Sequence, residues 1–456
     1  MLPRQERRLK IAVVGSGIAG LSAAWLLDQA HEVTLFEKQA RLGGHTHTHH
    51  LDLPEGNVAV DTGFIVYNPV NYPNLVELFK HLDVSTQATD MSFGVALHTK
   101  EHKLEYSGCG LGGWFAQRQN LWRWQHWHLL KEILRFYQHT EILIQEAQQQ
   151  AYTLEEMLTK HGYSRAFIEQ HLIPMGAAIW STPADKMLQY PALAFLRFCR
   201  NHGLVQLKDR PQWRTLCGGS HTYVEKIAAS LNGRIQLNAH LRKVHRHQGK
   251  VIVQHQDGLT EVFDHLVLAC HADQALALLA QPSKQEQDLL GVFSYQKNLA
   301  YLHQDTRFMP EEKRAWASWN YLSHPQQQQK QVSVTYWMNR LQHLSTNKPL
   351  LVTLNPVHPP KASHILRSVL YEHPVFSLQS MHAQQALWSL QGQANAWFCG
   401  AYFGYGFHED GLQAGLAVAE ALGGVQRPWR LTQPNSRIFV PDAAASADHV
   451  PWPQAS

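Results

Sequence analysis

Short apolar runs broken by glycines open the chain. Ile11, Ala12, Val13 and Val14 form an unbroken apolar stretch, the pattern of a strand covered on both faces of a parallel sheet. Leu21 to Leu27 has helical character, and Glu32 to Glu37 reads as a second strand ending on an acid. Between the first strand and the helix lies Gly15-Ser16-Gly17-Ile18-Ala19-Gly20. Farther along, Leu75, Leu78, Phe79 and Leu82 mark an amphipathic helix introduced by Asn71-Tyr72-Pro73-Asn74, and Leu129 to Ile144 is strongly helical. Ser92 to Val95, Lys103 to Tyr106, Arg234 to Asn238, Leu241 to Val244, Lys250 to Val253, Tyr336 to Asn339 and Leu350 to Leu354 predict strands. Asp264 to Cys270 predicts another buried parallel strand.

Strand, Gly-x-Gly-x-x-Gly, helix, strand and distal acid follow one another in register and predict a Rossmann-type nucleotide cradle. Gly15 permits the sharp turn, Gly17 leaves room for a pyrophosphate, and Gly20 allows close helix–strand packing. The helix N-terminus offers free N–H groups to phosphate. Glu37 stands where a carboxylate accepts hydrogen bonds from an adenosine ribose, and it would repel a 2′-phosphate. On these residues NADP is disfavoured, while FAD and NAD both remain open.

At 456 residues, 44% hydrophobic and 17% charged, the chain is long enough for two or three packed units. A net charge of +4 and a pI near 8.7 permit attraction to anionic lipid or acidic substrates, and no feature indicates nucleic acid. The five cysteines are scattered without a C-x-x-C pair, so neither a disulfide framework nor a zinc site is expected, and a reducing compartment is. His45, His47, His49 and His50 alternate in a way that could suggest a metal site, but no further ligand accompanies them, and no metal is expected. The charged start from Met1 to Lys10 leaves no room for a secretory signal, and no apolar run is long enough to cross a bilayer. A cytoplasmic protein, soluble or peripheral at the inner face of the membrane, is the expectation.

Arg41-Leu42-Gly43-Gly44-His45 follows the second strand. With the cradle before it, this Arg-x-Gly-Gly resembles the flavin-containing amine oxidase superfamily, which includes protoporphyrinogen oxidases and phytoene-type desaturases. The resemblance implies non-covalent FAD. Trp397-Phe398-Cys399-Gly400-Ala401 through Gly411-Leu412-Gln413-Ala414-Gly415 resembles the family's closing flavin motif. The cofactor-binding set so implied is Gly15, Ser16, Gly17, Ile18, Ala19, Gly20, Glu37, Lys38, Arg41, Gly43, Gly44, His45, Leu241, Gly400, Asp410, Gly411, Leu412 and Gln413. His45 takes the position facing the cofactor and Leu241 the one whose backbone meets adenine. Asp61-Thr62-Gly63-Phe64 matches a positional segment on the way to the substrate side.

Two departures narrow the chemistry. Ala401 replaces the acid that commonly bonds the ribityl chain, and His408 replaces a tyrosine of the amine-oxidase aromatic cage. His408 and Glu409 are therefore the candidate bases, with Asp410 as an N-cap and a solvated Glu409 as the alternative. Many amine oxidases carry a lysine near flavin N5; Lys297 is the nearest candidate, and a solvent-facing lysine is the expectation. Trp114, Trp122, Trp124 and Trp127, interleaved with Arg118, Arg123, His126 and His128, suit a membrane headgroup region, although a helical core is the preferred reading. Leu172 to Ser181 reads equally as tunnel lining or buried helix joint.

The fold class implied is α/β with an α+β substrate part. FAD-binding segments are expected at 1–105, 206–275 and 391–425, interleaved with a helical substrate part at 106–205 and a substrate-side sheet at 276–390. A tail covers 426–456. Asp61 to Val66, Ile173 to Ser181 and Gly404 to Gly411 bring the chain nearest to a bacterial subgroup of FAD-binding oxidoreductases that often accompany cyclopropane-type fatty-acid methyltransferases. That likeness implies an oxidase or desaturase taking hydride from a C–H bond of a lipid acyl chain. A flavin amine oxidase and a non-catalytic flavoprotein partner of a lipid methyltransferase are the alternatives.

Overall fold

A computed structural model describes residues 8–98, 103–180, 184–206, 210–323 and 333–441. The start up to residue 7, Ser181, the polar loop Gln326 to Gln329 and the tail beyond 441 lie outside the described residues.

Among the described residues a five-stranded parallel sheet runs in the order Ala396–Phe398, His265–Leu268, Lys10–Val14, Glu32–Phe36 and Arg234–Gln236. Its strands come from three distant parts of the chain. Ile11, Ala12, Val13, Leu266, Val267 and Leu268 are fully buried, as their unbroken apolar runs require. The Ile18–Leu27 helix is buried all round and lies against the His408–Gly423 helix. Gly415 makes that contact close: a Cβ there would stand 2.2 Å from the Ala19 carbonyl oxygen. A three-stranded antiparallel sheet, Leu241–His247, Lys250–His255 and Thr260–Phe263, packs alongside, with Phe263 edge-on to Phe36 at 5.9 Å.

A second, mixed sheet has the order Ile365–Val375, Ser294–His303, Leu351–Leu354, Ser333–Trp337, Trp319–Ser323, Phe93–His98 and Lys103–Ser107. The Trp319–Ser323 and Phe93–His98 strands pair in parallel and the other neighbours antiparallel. The predicted strand over Tyr336 to Asn339 ends at Trp337, and Met338–Gln342 is helical. Asn339 explains the change. Its side chain donates to the Thr346 and Lys348 carbonyls and accepts from Leu350 N–H, so local bonds displace a ladder.

Helices cover this sheet, the longest being Trp124–Gln149, which extends the predicted Leu129 to Ile144 at both ends. Phe136, Phe167 and Phe195 are fully buried in this layer. The Ile173–Trp180 helix resolves part of the predicted tunnel or joint: Ile173 and Met175 are core, while Ile179 reaches the central cavity.

Candidate functional site

One cavity of about 1240 Å³ runs from the glycine turn to the mixed sheet. That exceeds the usual volume of a single small-ligand pocket, roughly 300–1,000 Å³, and leaves room for a second molecule beside a dinucleotide. Gly15, Ser16, Gly17, Ile18, Ala19, Glu37, Lys38, Arg41, Gly43, Gly44, His45, Leu241, Gly400, Gly411 and His408 all line it.

The nucleotide end is shaped by backbone. Gly15 has φ +103°, and a Cβ there would meet the Ala269 carbonyl oxygen at 2.8 Å. A Cβ on Gly17 would meet nothing within 4 Å, so the chain leaves open the space a pyrophosphate needs. The first-turn N–H groups of the Ile18–Leu27 helix have no intrahelical acceptor and face this space. Glu37 is buried, with one oxygen accepting from Ser16 N–H (2.9 Å) and Ser16 Oγ (2.6 Å) and the other from Gln39 N–H (2.8 Å). Arg41 braces the glycine pair, donating to the Leu42, Gly44 and Thr46 carbonyls. The donor set fits FAD: helix N–H groups for phosphates, an acid for a ribose, and His45, whose Nε2 is buried with no protein partner among the described residues.

Gly20 lies behind the wall, where a Cβ would collide with the Gly15 carbonyl oxygen at 1.8 Å. Asp410, Leu412 and Gln413 are fully buried away from the cavity, which only Gly411 of that group reaches. Asp410 caps its own helix by accepting from Phe407 N–H (2.7 Å) and pairs with Arg437 Nε (2.6 Å). Gln413 accepts from Arg437 N–H and donates to Glu409. Leu241 reaches the wall with its N–H already given to the Ala239 carbonyl at 3.0 Å.

Glu409 must be reassigned. It is neither a cavity base nor solvated. Its carboxylate is fully buried and accepts from Asn74 N–H, Asn74 Nδ2, Leu75 N–H and Gln413 Nε2 at 2.8–3.0 Å. Burial pushes its pKa up against these four donors. It occupies the N-terminus of the Pro73–His81 helix and ties that helix to its own. The physical reason is helical phase: consecutive residues point about 100° apart, so His408 and Glu409 cannot share a face.

His408 does reach the cavity. It stacks on Phe64 with centroids 3.7 Å apart, and its Nε2 lies 3.1 Å from both Thr46 Oγ1 and Tyr223 OH, which are 2.5 Å from each other. Burial lowers its pKa to about 3, so it is a neutral imidazole held in a fixed orientation. Nδ1 forms no hydrogen bond with the described residues.

Opposite stands a group the sequence reading missed. Tyr371 stacks on His45 at 5.2 Å, His373 lies 5.2 Å from His45, and His271 stacks on Tyr295 at 4.2 Å. Burial and mutual repulsion hold His45 well below its ordinary pKa, and burial brings His373 to about 4. Tyr371 and His373 alternate along one strand, a period-two signal that two polar aromatics are too short to make visible. Of Asp61-Thr62-Gly63-Phe64, expected to be positional, only Asp61 lies off the cavity: it is buried and held by Thr48, Ser220 and Gln342, and burial raises its pKa to about 6, whereas Thr62, Gly63 and Phe64 line the wall. Lys297 is exposed and lies outside the cavity wall.

The flavin containing amine oxidoreductase family matches residues 18–422. The 15-cis-phytoene desaturase of Arabidopsis thaliana is 26% identical over 310 residues, 62% of this chain and 51% of that protein. Its counterpart in Narcissus pseudonarcissus is 27% identical over 267 residues, 53% of this chain and 43% of that one. The chain thus spans about half the length of these curated relatives. Putrescine oxidase bound to putrescine has a TM-score of 0.64 at 15% identity, covering 91% of this chain and 99% of that one. The CLA-producing fatty acid isomerase from P. acnes has a TM-score of 0.62 at 15% identity, covering 92% and 98%. These two show a shared fold. Because the family match runs from the helix that opens the cradle to the helix that closes the cavity, the chain belongs to the flavin containing amine oxidoreductases.

Proposed function

We propose that the chain oxidises or desaturates a lipid acyl chain. The observation that carries this reading is the wall beyond the cradle. Phe64, Ile65, Val66, Ile179, Phe198, Trp213, Trp319, Pro374, Phe376 and Phe407 line it, and its carboxylates among the described residues are only Glu37 and Glu372. Glu37 is engaged by Ser16, and Glu372 lies 3.7 Å from His271. An ammonium entering the aromatic chamber would lose its hydration and find one carboxylate at most, Glu372, which already accepts from Gln274, and this disfavours a simple amine substrate. A methylene chain loses nothing there.

FAD, when bound, accepts the hydride equivalent. The chain's residues do the rest. Gly15 to Ala19, Glu37 and the Gly43-Gly44 turn hold the nucleotide, and Gly411 brings a helix N-terminus to the cavity, where it favours negative charge. Phe64, Tyr223 and Thr46 fix His408, whose Nδ1 is the proposed proton acceptor from the substrate carbon. Phe198, Phe407 and Trp213 exclude water from that side. The phytoene desaturases and the fatty acid isomerase, named for apolar substrates, support the same class.

Aerobic incubation of the flavin-loaded protein with total membrane lipid, followed by mass analysis of the acyl chains, tests the reading. The expected product has lost two hydrogens from one chain, and the His408→Gln variant should form far less of it. Unchanged lipid together with oxidation of an amine would select the amine-oxidase reading. Unchanged lipid, no amine oxidation and co-purification with a lipid methyltransferase would select the non-catalytic partner.

A further inference from the structure

One strand joins the two ends of the cavity. On Ile365–Val375, Tyr371 belongs to the cradle side: its hydroxyl lies 2.7 Å from Thr62 Oγ1 and its ring stacks on His45. Farther along the chain, Pro374 and Phe376 close on Gly406, next to Phe407 and His408, where a Cβ would stand 3.2 and 3.1 Å from them. His373 forms part of the cavity wall between these two sets of contacts. An FAD held by its phosphates and ribose in the cradle has this junction left for its ring.

The proton on His373 is placed by a relay that starts at the backbone. Leu299 N–H donates to Asn355 Oδ1 at 2.9 Å, so the amide nitrogen of Asn355 is the end that faces Asn298. Asn355 Nδ2 donates to Asn298 Oδ1 at 2.6 Å. Asn298 Nδ2, which also donates to the Gln296 carbonyl at 3.2 Å, therefore meets His373 Nδ1 at 2.7 Å. An amide N–H at that distance requires a lone pair on Nδ1. Burial and the neighbouring His271 lower the His373 pKa to about 4, so the ring is neutral and its one N–H is at Nε2. Nε2 has no partner among the described residues.

The relay is costly to build for packing alone. Asn298 is fully buried, and Asn355 takes φ +47°, a left-handed conformation that asparagine tolerates better than most residues. Apolar side chains of the same shape would serve a buried strand pair nearly as well. What the two amides add is a single allowed tautomer for a ring in the cavity wall.

We propose that His373 Nε2–H donates a hydrogen bond to the flavin ring of bound FAD, and that Asn298, oriented by Asn355, is the positioning residue that keeps the proton on that nitrogen. A fixed N–H beside the ring favours the negative charge that arrives with the electrons. The two cavity histidines then divide the work: His408 accepts a proton and His373 donates a hydrogen bond. The inference rests on bound FAD and on no particular substrate. Its test uses none, so its failure and the failure of the acyl-chain reading are separate results.

The two-electron midpoint potential of the flavin-loaded full chain is measured by reductive titration with dithionite. Wild type is compared with His373→Phe, His373→Gln, Asn298→Leu and the His373→Phe, Asn298→Leu double variant. His373→Phe keeps a ring and removes the donor, so it should weaken reduced relative to oxidised flavin about tenfold, the scale of a hydrogen bond to a charged group. That is about 30 mV more negative for a two-electron couple. His373→Gln retains an N–H and should stay near wild type. Asn298→Leu should give a smaller fall, and none in the His373→Phe background, because it acts only through that ring. A His373→Phe or Asn298→Leu potential equal to wild type would overturn the proposal, as would a further fall in the double variant. If His373→Phe loses its flavin, retention by His373→Gln supports the donor, and loss from both overturns it.

Discussion

The two ends of the cavity are made of different material. The nucleotide end is backbone: a glycine turn, exposed N–H groups of one helix, and an acid fixed by Ser16. The far end is side chain, drawn from strands and helices scattered between Phe64 and His408. A surface of backbone tolerates variation in sequence and keeps its ligand; a surface of side chains takes its chemistry from each residue. Sequence reading therefore reaches FAD and stops short of the substrate.

Paired substitutions sharpen this contrast. The largest effect is expected at the nucleotide end. Gly17→Val has room for its Cβ in the protein but fills the pyrophosphate space, so a folded protein without yellow cofactor is expected. Gly20→Val meets the Gly15 carbonyl and should also unfold at lower temperature, with overpacking costing about 1–3 kcal/mol or more. Equal flavin content in wild type and Gly17→Val would break the contrast.

Next is the pair at the start of the closing helix. His408→Gln should keep flavin and lose turnover by roughly 10²- to 10⁴-fold, the scale of a general base. Glu409→Ala should do the reverse: turnover per bound flavin stays near wild type, while the unsatisfied Asn74, Leu75 and Gln413 donors cost about 1–3 kcal/mol in urea unfolding. The opposite ranking would return Glu409 to the site. Arg437→Met leaves buried Asp410 unpaired and should cost about 3–5 kcal/mol.

The smallest expected effect concerns pH. His171, His202 and His408 are buried with pKa values of about 3, below the ordinary 6.5. The unfolded chain therefore takes up protons first, so stability falls as pH drops from about 6.5 toward 3. Asp61 works the other way. Its folded pKa of about 6 lies above the ordinary 3.8, so its contribution is lost as pH rises between those values. Melting temperature should fall on acidification, less steeply in His202→Gln, while the neutral state of His408 persists through the same range.

The cradle was legible because each of its residues has a local reason: apolar strand, glycine turn, acid in register. Glu409 was misread because adjacency in sequence resembles proximity in space, and a helix sends neighbours to different faces. Of the tryptophans read as core, Trp114 does pack against it, while Trp122, Trp124 and Trp127 are exposed, because an apolar pattern does not say which of its residues face inward. Tyr371 and His373 gave no signal, since their meaning comes from His45, far away in the chain.

The most direct measurement is anaerobic mixing of the flavin-loaded protein with total membrane lipid, followed by the oxidised-flavin absorbance. Bleaching by lipid and none by a panel of amines is the result expected of an acyl-chain oxidase; bleaching by an amine and none by lipid would contradict it.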